Sequence, residues 1–190
     1  MAGYYRRQNY YLIRTAKGHT HATLERLGGE IAALDPAVVV SLGDGFDDLA
    51  AAEALDAPIT AQLAGMMRGR DWVWIGGNHD PSGPALLPGR FADGLAMQSV
   101  TLRHEAGQKA GHDTGQGPDI SGHFHPVVRL AGERRRAFLL GRDRLILPAF
   151  GAYTGGLSCD DPVLRALVPE GLAIACGRRA IPLPLIRRGA

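Results

Sequence analysis

Two short apolar runs, AVVVSL at 37–42 and DWVWI at 71–75, each empty into a loop crowded with glycine and with acid or amide side chains, GDGFDD and GGNHDP. An unbroken run of β-branched and aromatic residues this short reads as a strand buried on both faces, the kind found inside parallel sheets. Such strands need cover on each side, and the intervening sequence supplies it. In HATLERLGGEIAALDP, Leu24, Leu27, Ile31 and Leu34 recur at helical spacing, and Asp35-Pro36 ends the segment because proline disfavours helix in the residue before it. Alanine-rich stretches at 48–55 and 59–68 read as further helices, and YYLIR reads as a first strand. Strand and helix therefore alternate, which makes the fold class α/β.

Past residue 98 the texture changes to short strands: SVTLRHE, DISGHFHPVVRL, RAFLLGRDRLILPAF and GLAIACGRRAIPLPL, the last two broken by turn-like GRDR and CGRR. Ala106 to Pro118, AGQKAGHDTGQGP, is glycine-rich and polar and reads as a mobile surface loop. No repeat or linker divides the 190 residues, so a single domain over 1–190 is expected. No run of eighteen apolar residues occurs and MAGYYRRQNYYLI lacks a long apolar core, so a soluble cytoplasmic protein with no membrane partner is expected. Cys159 and Cys176 fit no CxxC spacing and read as reduced, buried thiols. Residues 121–190 hold 11 basic and 5 acidic groups, whereas 1–120 hold 10 and 14. The Arg134-Arg135-Arg136 run, with Arg142 and Arg144, reads equally as a face for a polyanion or as a solvated strand surface.

Polar side chains at the mouth of a buried strand are costly unless they bind something. Three loops carry them: Gly43-Asp44, Gly77-Asn78-His79-Asp80 and Gly122-His123-Phe124-His125, with His104 in TLRHE as a fourth element. Ligands gather at the carboxyl ends of strands in α/β sheets. Carboxylate, amide oxygen and imidazole suit first-row divalent ions, and the lack of cysteine argues against a thiolate zinc site.

In this order, SLGDGFDD, GGNHDP, TLRHE, ISGHFHPVVRL and RLILPAFGAYTGGL resemble the calcineurin-like metallophosphoesterase superfamily, and most closely its bacterial DNA-ligase-associated branch. The resemblance spans about residues 20–168. It implies a four-layer α/β sandwich of two mixed β-sheets flanked by helices, two divalent metal ions (manganese foremost; iron, zinc or magnesium as alternatives), and hydrolysis of a phosphate ester by activated water. DNA is then a possible substrate, and DNA ligase or helicase a functional partner. Asp44 resembles the carboxylate bridging two metals; Asn78, His104 and His123 would complete one shell, and His125 would belong to the other. His79 resembles the histidine that approaches the scissile phosphate, with Asp80 placed to orient it.

One motif of that family is missing. TAKGHTHATL, where DxH is expected, contains no aspartate. Three explanations stand open: substitution by His19 and His21, a one-metal or inactive member, or a segment absent between the first strand and the first helix. The pattern also has serine and histidine where Gly45 and Asp47 stand. The alternative to an enzyme is therefore a catalytically impaired scaffold or nucleic-acid-binding protein of the same fold.

Overall fold

The computed structural model describes residues 8–10, 20–46, 55–107, 117–152 and 154–185. The chain divides into two compact units, 1–93 with 150–154 and 94–149 with 155–190.

The first unit is built on a four-stranded sheet in the order β1 (Gln8–Tyr10), β2 (Val38–Ser41), β3 (Asp71–Ile75), β4 (Arg90–Ala92). All three pairings are parallel, so each strand must be reached by a crossover. Helix α1 (Thr20–Leu34) lies in the first crossover and α2 (Ala57–Met67) in the second. The third, residues 76–89, contains no helix and begins with GGNHDP. Leu24, Leu27 and Ile31 are buried as their spacing predicts, against Val39, Phe46, Leu63, Met67 and the two tryptophans. Trp74 meets both Trp72 and Phe46, at ring-centroid distances of 5.6 Å and 6.0 Å, and its indole N–H donates to Pro88 O at 2.9 Å. A large aromatic can be buried in this way because its one polar group finds a partner. Proline at the start of α2 suits the first turn, where the missing N–H costs nothing. Most of the expected 48–55 helix and the Tyr11–Arg14 part of YYLIR lie outside the described residues.

Among its described residues the second unit holds eight strands and one short helix: β5 (Leu95–Met97), β6 (Val100–Arg103), β7 (Asp119–Ser121), β8 (Val127–Leu130), β9 (Glu133–Leu140), β10 (Arg144–Ile146), α3 (Pro162–Leu167), β11 (Gly171–Ala175) and β12 (Ile181–Leu185). The order is β12-β11-β9-β10-β7-β6-β5, with β8 also paired to β9. This sheet is mixed, since β7 pairs parallel with β6 and β10 and the other pairings are antiparallel. Ala137, Leu139, Ile146, Leu164, Val168 and Ala173 form its core. Cys159 lies in that core, and burial pushes its thiol up to about 11. Cys176 is half-buried rather than buried. Residues 108–116 of the expected loop lie outside the described residues.

Two further features differ from the sequence reading. DISGHFHPVVRL is not one strand: β7 stops at Ser121 and β8 starts at Val127, because Phe124 N donates to Gly122 O at 2.7 Å and closes a tight turn. The short elements β4, β5 and α3 were not marked by periodicity. Among the described residues, no helix is long and apolar enough to cross a membrane.

Candidate metal centre

In the first unit, the loop after β2 carries Asp44, only 3% exposed, and the loop after β3 carries Asn78, His79 and Asp80. Asn78 and His79 are exposed, whereas Asp80 is buried. Asp80 ties the two loops together. Its carboxylate accepts from the backbone N–H groups of Asp44 at 2.7 Å, Gly45 at 2.6 Å, Phe46 at 3.2 Å and Gly77 at 3.2 Å. Burial raises its pKa above the ordinary carboxylate value, the amide donors pull it back down, and the nearby Asp44 charge adds to the rise. The partners of its carboxylate are backbone amides, most of them in the Asp44 loop, so Asp80 holds that loop, while its expected part in orienting His79 stays a proposal.

The link runs both ways, because His79 N donates to Asp44 Oδ1 at 2.9 Å. Gly77 makes this approach possible. A Cβ there would overlap the backbone nitrogen and carboxylate of Asp44 and sit 2.7 Å from Asp80 Oδ1. Glycine is the residue that permits so close a backbone approach.

In the second unit, His104 follows β6, and His123 and His125 lie in the loop between β7 and β8. His104 and His125 are buried and His123 is half-buried. His123 Nδ1 and His104 Nε2 are 3.0 Å apart, with the rings edge to face at 4.9 Å between centroids. Phe124 packs edge to face on His123 at 4.7 Å. In the metal-free chain the pair is an N–H···N hydrogen bond, with one ring donating. The same spacing fits two ligands on one ion. Nitrogens about 2.1 Å from a metal lie about 3.0 Å apart at roughly 90°, and about 3.4 Å apart at a tetrahedral angle. His104 and His123 are thus a candidate metal-binding pair.

Asp44, His123 and His125 share left-handed backbone, with φ of 49°, 42° and 47°. Non-glycine residues hold that conformation only where their surroundings over-determine it, and such strain concentrates at functional sites. For the HFH loop the surroundings are residues 155–159. Leu157 N donates to Phe124 O at 3.0 Å, Val127 N to Leu157 O at 2.9 Å, and Cys159 N to Val127 O at 2.8 Å. A Cβ on Gly156 would overlap the His125 carbonyl oxygen. The glycines of GAYTGG therefore include one that serves the histidine loop, a role that no local pattern in the sequence marks. His21 is exposed on α1, while His19 lies outside the described residues. Gly45, one of the departures from the family pattern, gives its N–H to Asp80.

No family model and no curated protein matches the chain. Among solved structures, the crystal structure of nuclease MPE from Pseudomonas putida is similar at 26% identity and a TM-score of 0.70, over 94% of this chain and 88% of that one. A Vps29 single mutant from Entamoeba histolytica aligns over 92% of this chain and 98% of that one, at 14% identity and a TM-score of 0.36, too low to add to the argument. The first likeness, with two sheets, few helices and donor-rich strand-end loops, makes the fold a metallophosphoesterase-type α/β fold and supports the calcineurin-like superfamily.

Proposed function

We propose that the chain is a divalent-metal-dependent phosphoesterase of nuclease type, with the His104–His123 pair holding the ion and Asp44 added as a ligand on the sequence resemblance. One carboxylate and two imidazoles are the right chemistry for such an ion. The observation that carries the reading is the His104–His123 pair, two buried or half-buried imidazole nitrogens at 3.0 Å. Carboxylate, amide and imidazole donors without thiolate suit a first-row divalent ion, manganese foremost in this proposal. The likeness to a nuclease supports a phosphodiester substrate. Asn78 and His125 complete the proposed ligands, with the number of metals, one or two, set by what stands in for DxH.

Each side chain then has a task. A bound divalent ion would supply Lewis acidity and a water of lowered pKa. Asp44 Oδ1 accepts from the His79 N–H, which fixes the orientation of the carboxylate proposed as a ligand. Asp80 holds the Asp44 loop, and Phe124 limits rotation of the His123 ring. The exposed His79 imidazole is free to meet a phosphate from solvent and to give or take a proton there. The placement in DNA repair, the cytoplasmic setting, the single-domain organisation and a ligase or helicase partner belong to the same proposal and rest on the sequence resemblance.

The second reading, an impaired scaffold, is favoured by the absence of a DxH aspartate from TAKGHTHATL. Hydrolysis of bis(p-nitrophenyl) phosphate by metal-stripped protein, titrated with manganese, separates the two. Saturable turnover that is lost in His104→Ala and Asn78→Ala is the expected result. Manganese binding without turnover would establish the scaffold reading, and no manganese binding would refute the metal site.

A further inference from the structure

A cavity of about 490 Å³ opens in the second unit, and none of its lining residues is an expected metal or catalytic residue. Its volume lies in the range of small-molecule sites. Ala173, 1% exposed, lies in register between Leu139 on β9 and Leu183 on β12. An alanine flanked by leucines leaves the hollow, and Val128, Leu183 and Leu185 wall it with apolar surface. Among the described residues β12 ends the sheet, and its Leu183, Pro184 and Leu185 line the hollow.

The rim is polar and unequal in charge. Arg129 and Arg134 both line it, and they sit directly opposite each other across the antiparallel β8–β9 pair. Like charges facing each other across a sheet are destabilising, so this pairing carries a cost that an anion between them would relieve. Arg134 is held by a 2.7 Å hydrogen bond from its NH2 group to Gly156 O, and its planar fork has donors to spare. Asp160 on the same rim offsets one of the two positive charges, and Ser158 adds a hydroxyl.

We propose that this pocket binds a small amphiphile with an apolar body and a single anionic head, the head at Arg129 and Arg134 and the body against Ala173 and the leucines. The site is independent of the metal-centre reading, since it shares no residue with it.

The test uses the full chain and the fluorescent probe 1-anilinonaphthalene-8-sulfonate, displaced by octanoate, octanol or octylammonium. Saturable probe binding is expected, with octanoate the best competitor by about tenfold, a difference of about 1.4 kcal/mol. Arg129→Glu should remove the octanoate advantage, leave octanol unchanged, and hold or raise the thermal midpoint by replacing a like-charge pair with an opposite one. Ala173→Leu should fill the hollow and abolish binding of all three. Equal competition by octanoate and octylammonium would overturn the proposal, as would octanoate binding to Arg129→Glu at wild-type strength. An unsaturable probe signal would show that no defined pocket exists.

Discussion

Replacing Asp80 with alanine removes the carboxylate that accepts four backbone N–H groups, two at 2.7 Å and 2.6 Å and two at 3.2 Å. Hydrogen bonds to a charged acceptor contribute about 1.5–3 kcal/mol each, so the two short ones alone represent about 3–6 kcal/mol. Burial opposes these bonds and, with the pKa raised, outweighs them for the charged form, so the cost of truncation comes from leaving buried amides unpaired, about 1–3 kcal/mol each. A net loss of about 3 kcal/mol is expected, a large fraction of the stability of an ordinary domain. Asp80→Asn keeps one acceptor oxygen and turns an NH2 toward amides that also donate, so it should recover no more than half. Urea unfolding of metal-free protein gives the global loss. Amide hydrogen exchange at Asp44, Gly45 and Phe46 tests the cause, because those three groups should lose protection more than the amides of β3. A destabilisation below about 1 kcal/mol, or exchange that rises uniformly, would refute the assignment of Asp80 as the clamp on the Asp44 loop.

The neighbouring glycines at 155 and 156 form an internal control: a Cβ on Gly155 meets nothing within 4 Å, while one on Gly156 overlaps the His125 carbonyl. Gly156→Ala should therefore cost about 1–3 kcal/mol and shift the His125 resonances, with Gly155→Ala near neutral, and equal effects in urea unfolding would contradict this packing. Asp119 gives a pH test. Burial raises its carboxyl above 3.8 despite the Gly107 N–H, Arg144 and Arg103, the last held at 3.9 Å in a fully buried pair. A folded pKa above the unfolded one gives stability that is complete below about 3.8 and lost as pH rises through the folded value. The stability of Asp119→Asn relative to wild type should therefore improve as pH rises from that value, measured by urea midpoints. A flat or opposite difference would show that the Arg103 and Arg144 charges outweigh burial.

The legible elements were those whose pattern has a local cause. α1 announced itself through Leu24, Leu27 and Ile31, and β2 and β3 through continuous apolar runs, because each buries the side chains its own period presents. β4 has no such pattern, since its Arg90 and Phe91 are exposed; it is a strand because Val73–Ile75 offer it a parallel edge. The HFH stretch looked like strand because it joins two strands, but the tight turn at Phe124 and the left-handed histidines break the ladder. α3 is six residues long, too short for a period, and is capped by Asp161, whose side chain accepts from Val163 N.

The sequence by itself determined which residue types stand at the strand-end loops, and hence that this chain offers carboxylate, amide and imidazole donors rather than thiolates. It also determined the order of those loops and the alternation that makes the first unit a parallel sheet. Only the tertiary structure decided what each polar group holds. Asp80 and Asp44 are 36 residues apart, and their hydrogen bond exists because β2 and β3 pair in a register that brings both loops to one sheet end. The His104–His123 pairing and the fit of Gly156 beneath His125 arise in the same way, from backbone hydrogen bonds between distant segments, whose partners no local pattern specifies.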